Sequence, residues 1–256
     1  MCRLFAITGV QDSELLRNAI MQFGGLAETG KVRSDSTPGH NDGWGLVGYQ
    51  SGTLVFQEKE PASAAGNPAF SEAARILAAR HPMLAIGHLR KASMGNNLLE
   101  NTHPFWLGNL SFCHNGTVHN FAMIPLTEES RKLRKGTSDS EWLFLRLREL
   151  FTENPAEAFP RLAQEVRALD YSAFIVLFSD GKKLWALREV NEKEPAIARE
   201  GALDAYYTLF LGTMKAGATL ICSESLAIQG VAWTPLHNHE LIVIELRTSA
   251  VSRVTL

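Results

Sequence analysis

Short apolar runs bounded by Gly, Asp or Asn recur along this chain, and two helix-spaced segments separate each group of them. The runs Leu4–Thr8, Gly45–Tyr49, Thr53–Glu58, Met83–His88, Leu110–His114, Ser172–Ser179, Lys183–Arg188, Tyr206–Leu211, Thr219–Cys222, Leu241–Leu246 and Ser252–Leu256 read as strands. Phe178-Ser179-Asp180-Gly181-Lys182 carries the Asp-Gly signal of a tight hairpin, so its flanking strands are predicted to be antiparallel neighbours. Helical spacing marks Ser13–Phe23, Pro68–Arg80, Asp139–Phe151 and Pro155–Leu169. In the third of these, Leu143, Leu147 and Leu150 share a face. Consecutive strands with helices paired between them predict a layered α+β fold rather than regular βαβ winding. No repeat, low-complexity tract or Pro/Gly linker divides the chain, so residues 1–256 read as a single domain. The loosest stretch, Glu60–Pro68, reads as a loop before a helix.

Composition narrows the function classes. The chain has 256 residues, 45% of them hydrophobic and 20% charged, with a formal net charge of −2. That length buries a core without staples. The balanced charge and the lack of a long basic run argue against a nucleic-acid or membrane footprint. No apolar run approaches the ~18 residues of a membrane span. The apolar opening, Met1 to Gly9, is too short for a signal peptide. Three cysteines, Cys2, Cys113 and Cys222, are odd in number and far apart. They predict a reducing, cytoplasmic setting rather than a disulfide framework.

Four short segments could carry chemistry. Once Met1 is removed, the Cys2 thiol lies beside a free α-amine, which titrates near ~8 and can accept a proton. The plainer reading of Cys2 is a small apolar residue in a buried strand. Arg90 ends an apolar strand and leads into a Gly/Asn-containing stretch, where it could clamp a carboxylate or form an ordinary surface ion pair. Asn115-Gly116 follows another strand. It is a turn signal, and it also sets an amide side chain beside a bare backbone N–H, as in an oxyanion hole. The neighbouring Cys113 and His114 point to opposite faces of their strand, which argues against a thiol–imidazole dyad. Ser138-Asp139-Ser140-Glu141 matches a capping box with Ser138 as N-cap. Asp139 is then either a favourable first-turn acid or the partner of a ligand ammonium. Taken in chain order, these residue types suit an α-amino acid with an electrophilic side chain.

Together the motifs resemble the class II glutamine amidotransferases, whose glutaminase domain is an N-terminal-nucleophile hydrolase. Gly87-His88-Leu89-Arg90-Lys91-Ala92-Ser93 resembles the family's Gly-His-x-Arg-x-Ala-Thr, with Ser93 for Thr. His114-Asn115-Gly116 resembles its His/Asn-Asn-Gly, and Ser138-Asp139-Ser140-Glu141 its Ser-Asp-Thr-Glu. Asn101-Thr102-His103-Pro104-Phe105 matches its Asn-x-His-Pro-Phe, and the Met-Cys start agrees. The resemblance implies a four-layer αββα sandwich of two antiparallel sheets. It implies Cys2 as nucleophile and Asn115 with Gly116 as oxyanion donors. Arg90, Ser93 and Asp139 would hold the glutamyl head, with His88 and His114 in support and no metal or cofactor. One departure concerns Gly39-His40, which stands where many members carry Arg-Gly ahead of Asp-x-x-Gly. His40 is the candidate replacement. The runs His40–Gly45 and Leu99–Phe105 resemble the stand-alone, single-domain branch.

The expected reaction is hydrolysis of the γ-amide of glutamine or a γ-glutamyl conjugate through a Cys2 thioester. It releases glutamate with ammonia or an amine. The chain after Asp139 reads as two helices at most and about six strands. That leaves no room for a synthase domain, so ammonia would pass to a separate synthase subunit or have no acceptor. Lys91–Asn97 and His119–Leu126 are the candidate segments for leaving-group choice. Three alternatives stand beside this reading. One is a bile-salt- or penicillin-like amide, which Arg90 and Asp139 disfavour. Another is a non-catalytic glutamine-binding protein. The last is a metal site at His237 and His239, disfavoured by the absence of Cys-x-x-Cys and His-Glu-x-x-His spacing.

Overall fold

A computed structural model describes residues 2–32, 36–193, 207–215 and 217–256. In chain order the first half holds Arg3–Thr8 (β1), Ser13–Thr29 (α1), Gly43–Gln50 (β2), Thr53–Glu60 (β3), Pro68–Ala79 (α2), Leu84–Arg90 (β4), Phe105–Leu107 (β5), Leu110–Asn115 (β6) and Glu128–Leu133 (α3). The second half holds Asp139–Glu153 (α4), Ala158–Arg167 (α5), Ile175–Ser179 (β7), Lys183–Arg188 (β8), Phe210–Met214 (β9), Thr219–Cys222 (β10), Val231–Pro235 (β11), Glu240–Glu245 (β12) and Val251–Thr255 (β13).

The strands form two sheets, ordered β11-β9-β10-β1-β4-β2-β3 and β13-β12-β8-β7-β6-β5. All their pairings are antiparallel, including the β7–β8 hairpin predicted from Asp180-Gly181. Strand alternation sorts the side chains into layers. On β1, Leu4 and Ala6 join the core between the sheets, while Phe5 and Ile7 join the core under α1 and α2. On β7, Ile175 and Leu177 face the other sheet, while Val176 and Phe178 face α4 and α5. Each sheet therefore has one face on its partner and one face on a helix pair. That is the αββα sandwich, and each large apolar side chain fully buried in it contributes about 1.5–3 kcal/mol.

Helix ends follow local chemistry. Asp12 caps α1 by accepting from Glu14 N and Leu15 N, and Asn67 caps α2 ahead of Pro68 in its first turn. The helix α1 runs past the predicted end at Phe23 and through Gly24-Gly25. Each glycine costs a helix about 1 kcal/mol. Burial of Gly24 and Ala27 against the α2 side offsets that cost. Opposite α1, the Phe23 ring lies 2.8 Å from where a Cβ on Gly87 would be, so that glycine admits the helix close to β4.

Several predicted bounds need correction. The strand expected over 172–179 pairs as a ladder only from Ile175, because Tyr171 and Ala173 make single bridges to Val118 and Val190. The strand expected over 206–211 is observed at Phe210–Met214, and Tyr206 lies outside the described residues. The fifth helix starts at Ala158 rather than Pro155, because Asn154 Oδ1 takes the Ala156 N–H and holds a turn there. Strands β5 and β11 and helix α3 were not expected. They are three, five and six residues long, too short to show a period. Among the described residues, seven strands rather than about six follow Asp139.

Candidate active site

The antiparallel register builds the site. Arg3 pairs with Leu89, so the next position outward sets Cys2 beside Arg90. From the facing sheet, β6 ends at Asn115 against the same point, and the Cys2 backbone nitrogen donates to Asn115 Oδ1 at 2.7 Å. The N-terminus of α4 brings in Asp139. A small cavity of about 20 Å³, room for roughly one water, is lined by Cys2, Arg90, Ser93, His114, Gly116 and Asp139 among others.

Each predicted residue has a definite place. The Cys2 thiol lies 3.6 Å from Lys91 O, and the residue is 7% exposed. Arg3 bonds the Cys2 carbonyl and forms an ion pair with Glu224, which ties down the start of β1. Because Asn115 Oδ1 is taken by the Cys2 nitrogen, its Nδ2 is left buried and without a partner among the described residues. A donor–donor contact would repel, so this nitrogen fixes the orientation of the amide.

Arg90 is 2% exposed. Its guanidinium donates to Asn97 Oδ1 (3.2 Å), Met94 O (3.0 Å) and Gly95 O (3.4 Å). Asp139 is 3% exposed and accepts from Val118 N at 2.8 Å and from Ser140 Oγ at 3.4 Å. Among the described residues neither has an oppositely charged partner, although buried charges are usually paired. Ser93 Oγ meets Thr117 Oγ1 at 2.7 Å, which links the loop after β4 to the segment after β6.

Gly116 has φ +149, and a Cβ there would overlap the Ala173 carbonyl. Gly116→Ala is therefore expected to cost about 3 kcal/mol or more. Urea unfolding checks this, and a loss below about 1 kcal/mol would show that the 173 segment yields freely.

His114 lies on the site side of β6 and Cys113 in the core between the sheets, as alternation requires. Its Nδ1 meets Ser140 Oγ at 3.0 Å and its Nε2 meets Ala173 O at 3.3 Å. His88 does not line the cavity. It bonds His114 O at 3.2 Å and stacks on His103 at 4.1 Å. Burial pushes the pKa of all three rings down, well below the usual value for His88 and His103. They are thus neutral supports. Burial raises the Cys113 thiol and takes Cys222 up to about 12, leaving both unreactive. His40 is buried near the end of α1, where its ring packs against Gly30, and it does not line the cavity. Of the two selectivity segments, Lys91–Met94 lines the cavity and His119–Leu126 does not.

The capping box is half formed. Ser138 Oγ accepts from Glu141 N at 3.3 Å. Glu141 does not return to Ser138 N and instead takes the N–H groups of Lys135 and Gly136. Asn101 Oδ1 takes Thr137 N and Ser138 N. Three positioning groups were therefore missed: Asn101, His103, which lines the cavity, and Ser140. Asn101 and His103 belong to the recognised Asn-x-His-Pro-Phe run, which marked the segment without revealing what it touches. Asp42 also contributes, since its carboxylate accepts from Ala92 N at 2.8 Å just past Arg90.

Among the described residues no cluster of three His, Cys, Asp or Glu side chains could hold a metal. His239 instead meets the buried Glu189 at 2.8 Å. No helix among them is long and apolar enough to cross a membrane.

A solved structure of a glutamine aminotransferase class-II domain protein from Silicibacter pomeroyi matches with a TM-score of 0.62 at 20% identity, covering 100% of this chain and 99% of that one. That likeness shows the fold. The Escherichia coli protein YafJ is 27% identical over 209 residues, 75% of this chain and 74% of that protein. MJ1515 of Methanocaldococcus jannaschii is 28% identical over 228 residues, 80% of this chain but 61% of the relative's own length. A family model described as class-II glutamine amidotransferases matches residues 1–203, and with the sandwich and the motif residues gathered at one cavity, the chain belongs to that family.

Proposed function

We propose that this protein hydrolyses the γ-amide of glutamine or of a γ-glutamyl conjugate, with Cys2 as nucleophile after removal of Met1. One observation carries the reading. A buried guanidinium and a buried carboxylate, each without an opposite charge among the described residues, line one cavity with Cys2. That pair is complementary to the carboxylate and ammonium of an amino-acid head. Arg90 now holds neutral oxygens of the loop after β4. An incoming α-carboxylate offers it a charged, bidentate acceptor instead, so the loop opens as substrate enters the small cavity.

In the reaction the neutral α-amine of Cys2 takes the thiol proton, and the thiolate attacks the γ-carbonyl carbon. The oxyanion forms against Asn115 Nδ2 and the Gly116 N–H. Collapse breaks the C–N bond, and the α-ammonium gives its proton to the leaving amine. Water then adds to the thioester, glutamate leaves, and the thiol regains a proton. Nothing in this sequence reads the group beyond the amide, so ammonia and larger amines are both competent leaving groups. A separate synthase subunit is one destination for ammonia.

Glutamate release from glutamine and from a panel of γ-glutamyl amides tests the proposal and ranks the leaving groups. Arg90→Ala and Asp139→Asn each remove a charge-assisted contact of about 1.5–3 kcal/mol. Each is expected to raise KM for glutamine about ten- to a hundredfold. An unchanged KM in both variants would refute the substrate assignment.

A further inference from the structure

A second cavity lies behind the wall of the first. It holds about 460 Å³, within the usual size of small-molecule sites. The two cavities share two segments. His103 lines the Cys2 cavity and Phe105, two residues on, lines the outer one. Asp139 and Ser140 line the inner cavity and Glu141 the outer one.

The outer cavity has an aromatic floor that includes Phe105, Trp106 and Phe144. Lys59 lies over it, with Nζ 4.7 Å from the Trp106 ring centre and 5.4 Å from that of Phe105. Its ammonium donates to Thr102 O at 2.6 Å and, weakly, to Pro104 O at 3.5 Å. Among the described residues it has no carboxylate partner. Burial lowers the Lys59 pKa to about 8, against the opposing pull of Glu141 and Glu100 and with Lys135 adding to the depression. Both acids favour the charged form of Lys59 through space, but neither bonds its ammonium. Both Glu141 oxygens already accept backbone N–H groups, and Glu100 is exposed at the rim. A largely buried ammonium with a spare donor and no bonded carboxylate among the described residues, set on an apolar floor, can take an anion as its third partner.

We propose that the outer cavity is a binding site for a small organic carboxylate with an aromatic or branched apolar body. The carboxylate meets Lys59, and the body lies on the Phe105–Trp106–Phe144 floor. This site is separate from the glutamyl cradle and does not depend on Cys2 being a nucleophile.

Calorimetric titration of the full chain with 3-phenylpropionate and with its uncharged amide tests the proposal. The acid is expected to bind saturably at pH 7 and the amide about tenfold more weakly, since one charge-assisted contact is lost. Lys59→Met is expected to remove the difference between acid and amide, and Lys59→Arg to keep it. Absence of saturable binding, or equal binding of acid and amide to the unaltered chain, would overturn the proposal without any variant having to fold. Survival of the acid's advantage in Lys59→Met would assign the anion to another group and overturn it as well.

Discussion

Cys2→Ala is expected to abolish glutamate release while leaving the unfolding midpoint within a few degrees of the parent. The two halves of this prediction have separate causes. Chemistry is lost because no other thiol can substitute. Cys113 and Cys222 are buried in the cores of the sandwich, and burial keeps both protonated. Stability is retained because, among the described residues, the thiol makes one long hydrogen bond, to Lys91 O. The start of β1 is held instead by Arg3 and by the Cys2 nitrogen on Asn115. Asn115→Ala should reach only part of this loss, about 10²–10³ in kcat, as for removal of one oxyanion donor. It also frees the Cys2 nitrogen from its acceptor. Intact mass of the active protein supplies the companion measurement. Full activity in protein that retains Met1 would sink the proposed base, because an acylated nitrogen cannot take the thiol proton.

Stability should fall steeply as pH drops below about 6.5, through the three buried histidines. Burial lowers the folded-state pKa of His88, His103 and His114, so the folded protein keeps them neutral. The unfolded chain takes up protons on them near the ordinary value of about 6.5. Below that pH the unfolded state binds more protons, so unfolding becomes easier as pH falls. Their contribution is fully present above the unfolded pKa and is lost downward from it until the folded rings themselves protonate. Each ring contributes a slope of up to about 1.4 kcal/mol per pH unit, and the three together about 4. Carboxylates such as Glu189, held low by Arg167 and His239 despite its burial, act in a more acid window. Urea unfolding at pH 7.5 and 5.5 measures the slope. Equal stability at the two values would mean the rings take up protons in the fold as readily as in the unfolded chain. His103→Asn should reduce the slope by about one proton. His103 is the cleanest choice, because neither of its ring nitrogens has a partner among the described residues to lose.

The fold was legible where one period ran long enough. The strand at Lys183–Arg188 and that at Thr219–Cys222 have the expected bounds, and Ser138 caps α4 as its spacing implied. Errors gathered where tertiary contacts outweigh local preference. The helix α1 crosses two glycines because its far turn is buried. The ladder at β7 starts late because Ala173 faces Val190 rather than a full partner strand. The site was legible as residue types and motifs, but not as distances. Nothing local to Gly116 says that Ala173 O crowds it, since the two come from different elements. His40 shows the converse. Its place in a motif made it a candidate support, and only the packed fold shows its ring against the end of α1 and off the cavity wall.

Residue type and periodicity alone determined the layered α+β class, the alternation that separates Cys113 from His114, and the motif set that joins the chain to its family. These are local properties, carried by hydrophobic period and by the chemistry of single side chains. The packed fold decided which groups meet and which charges stand alone. The β1–β4 register brings Cys2 to Arg90, and the facing sheet brings Asn115 to the Cys2 nitrogen. Only there do Arg90 and Asp139 become buried charges without counter-ions among the described residues, because a charge is solvated or stranded by its three-dimensional surroundings rather than by its neighbours in sequence.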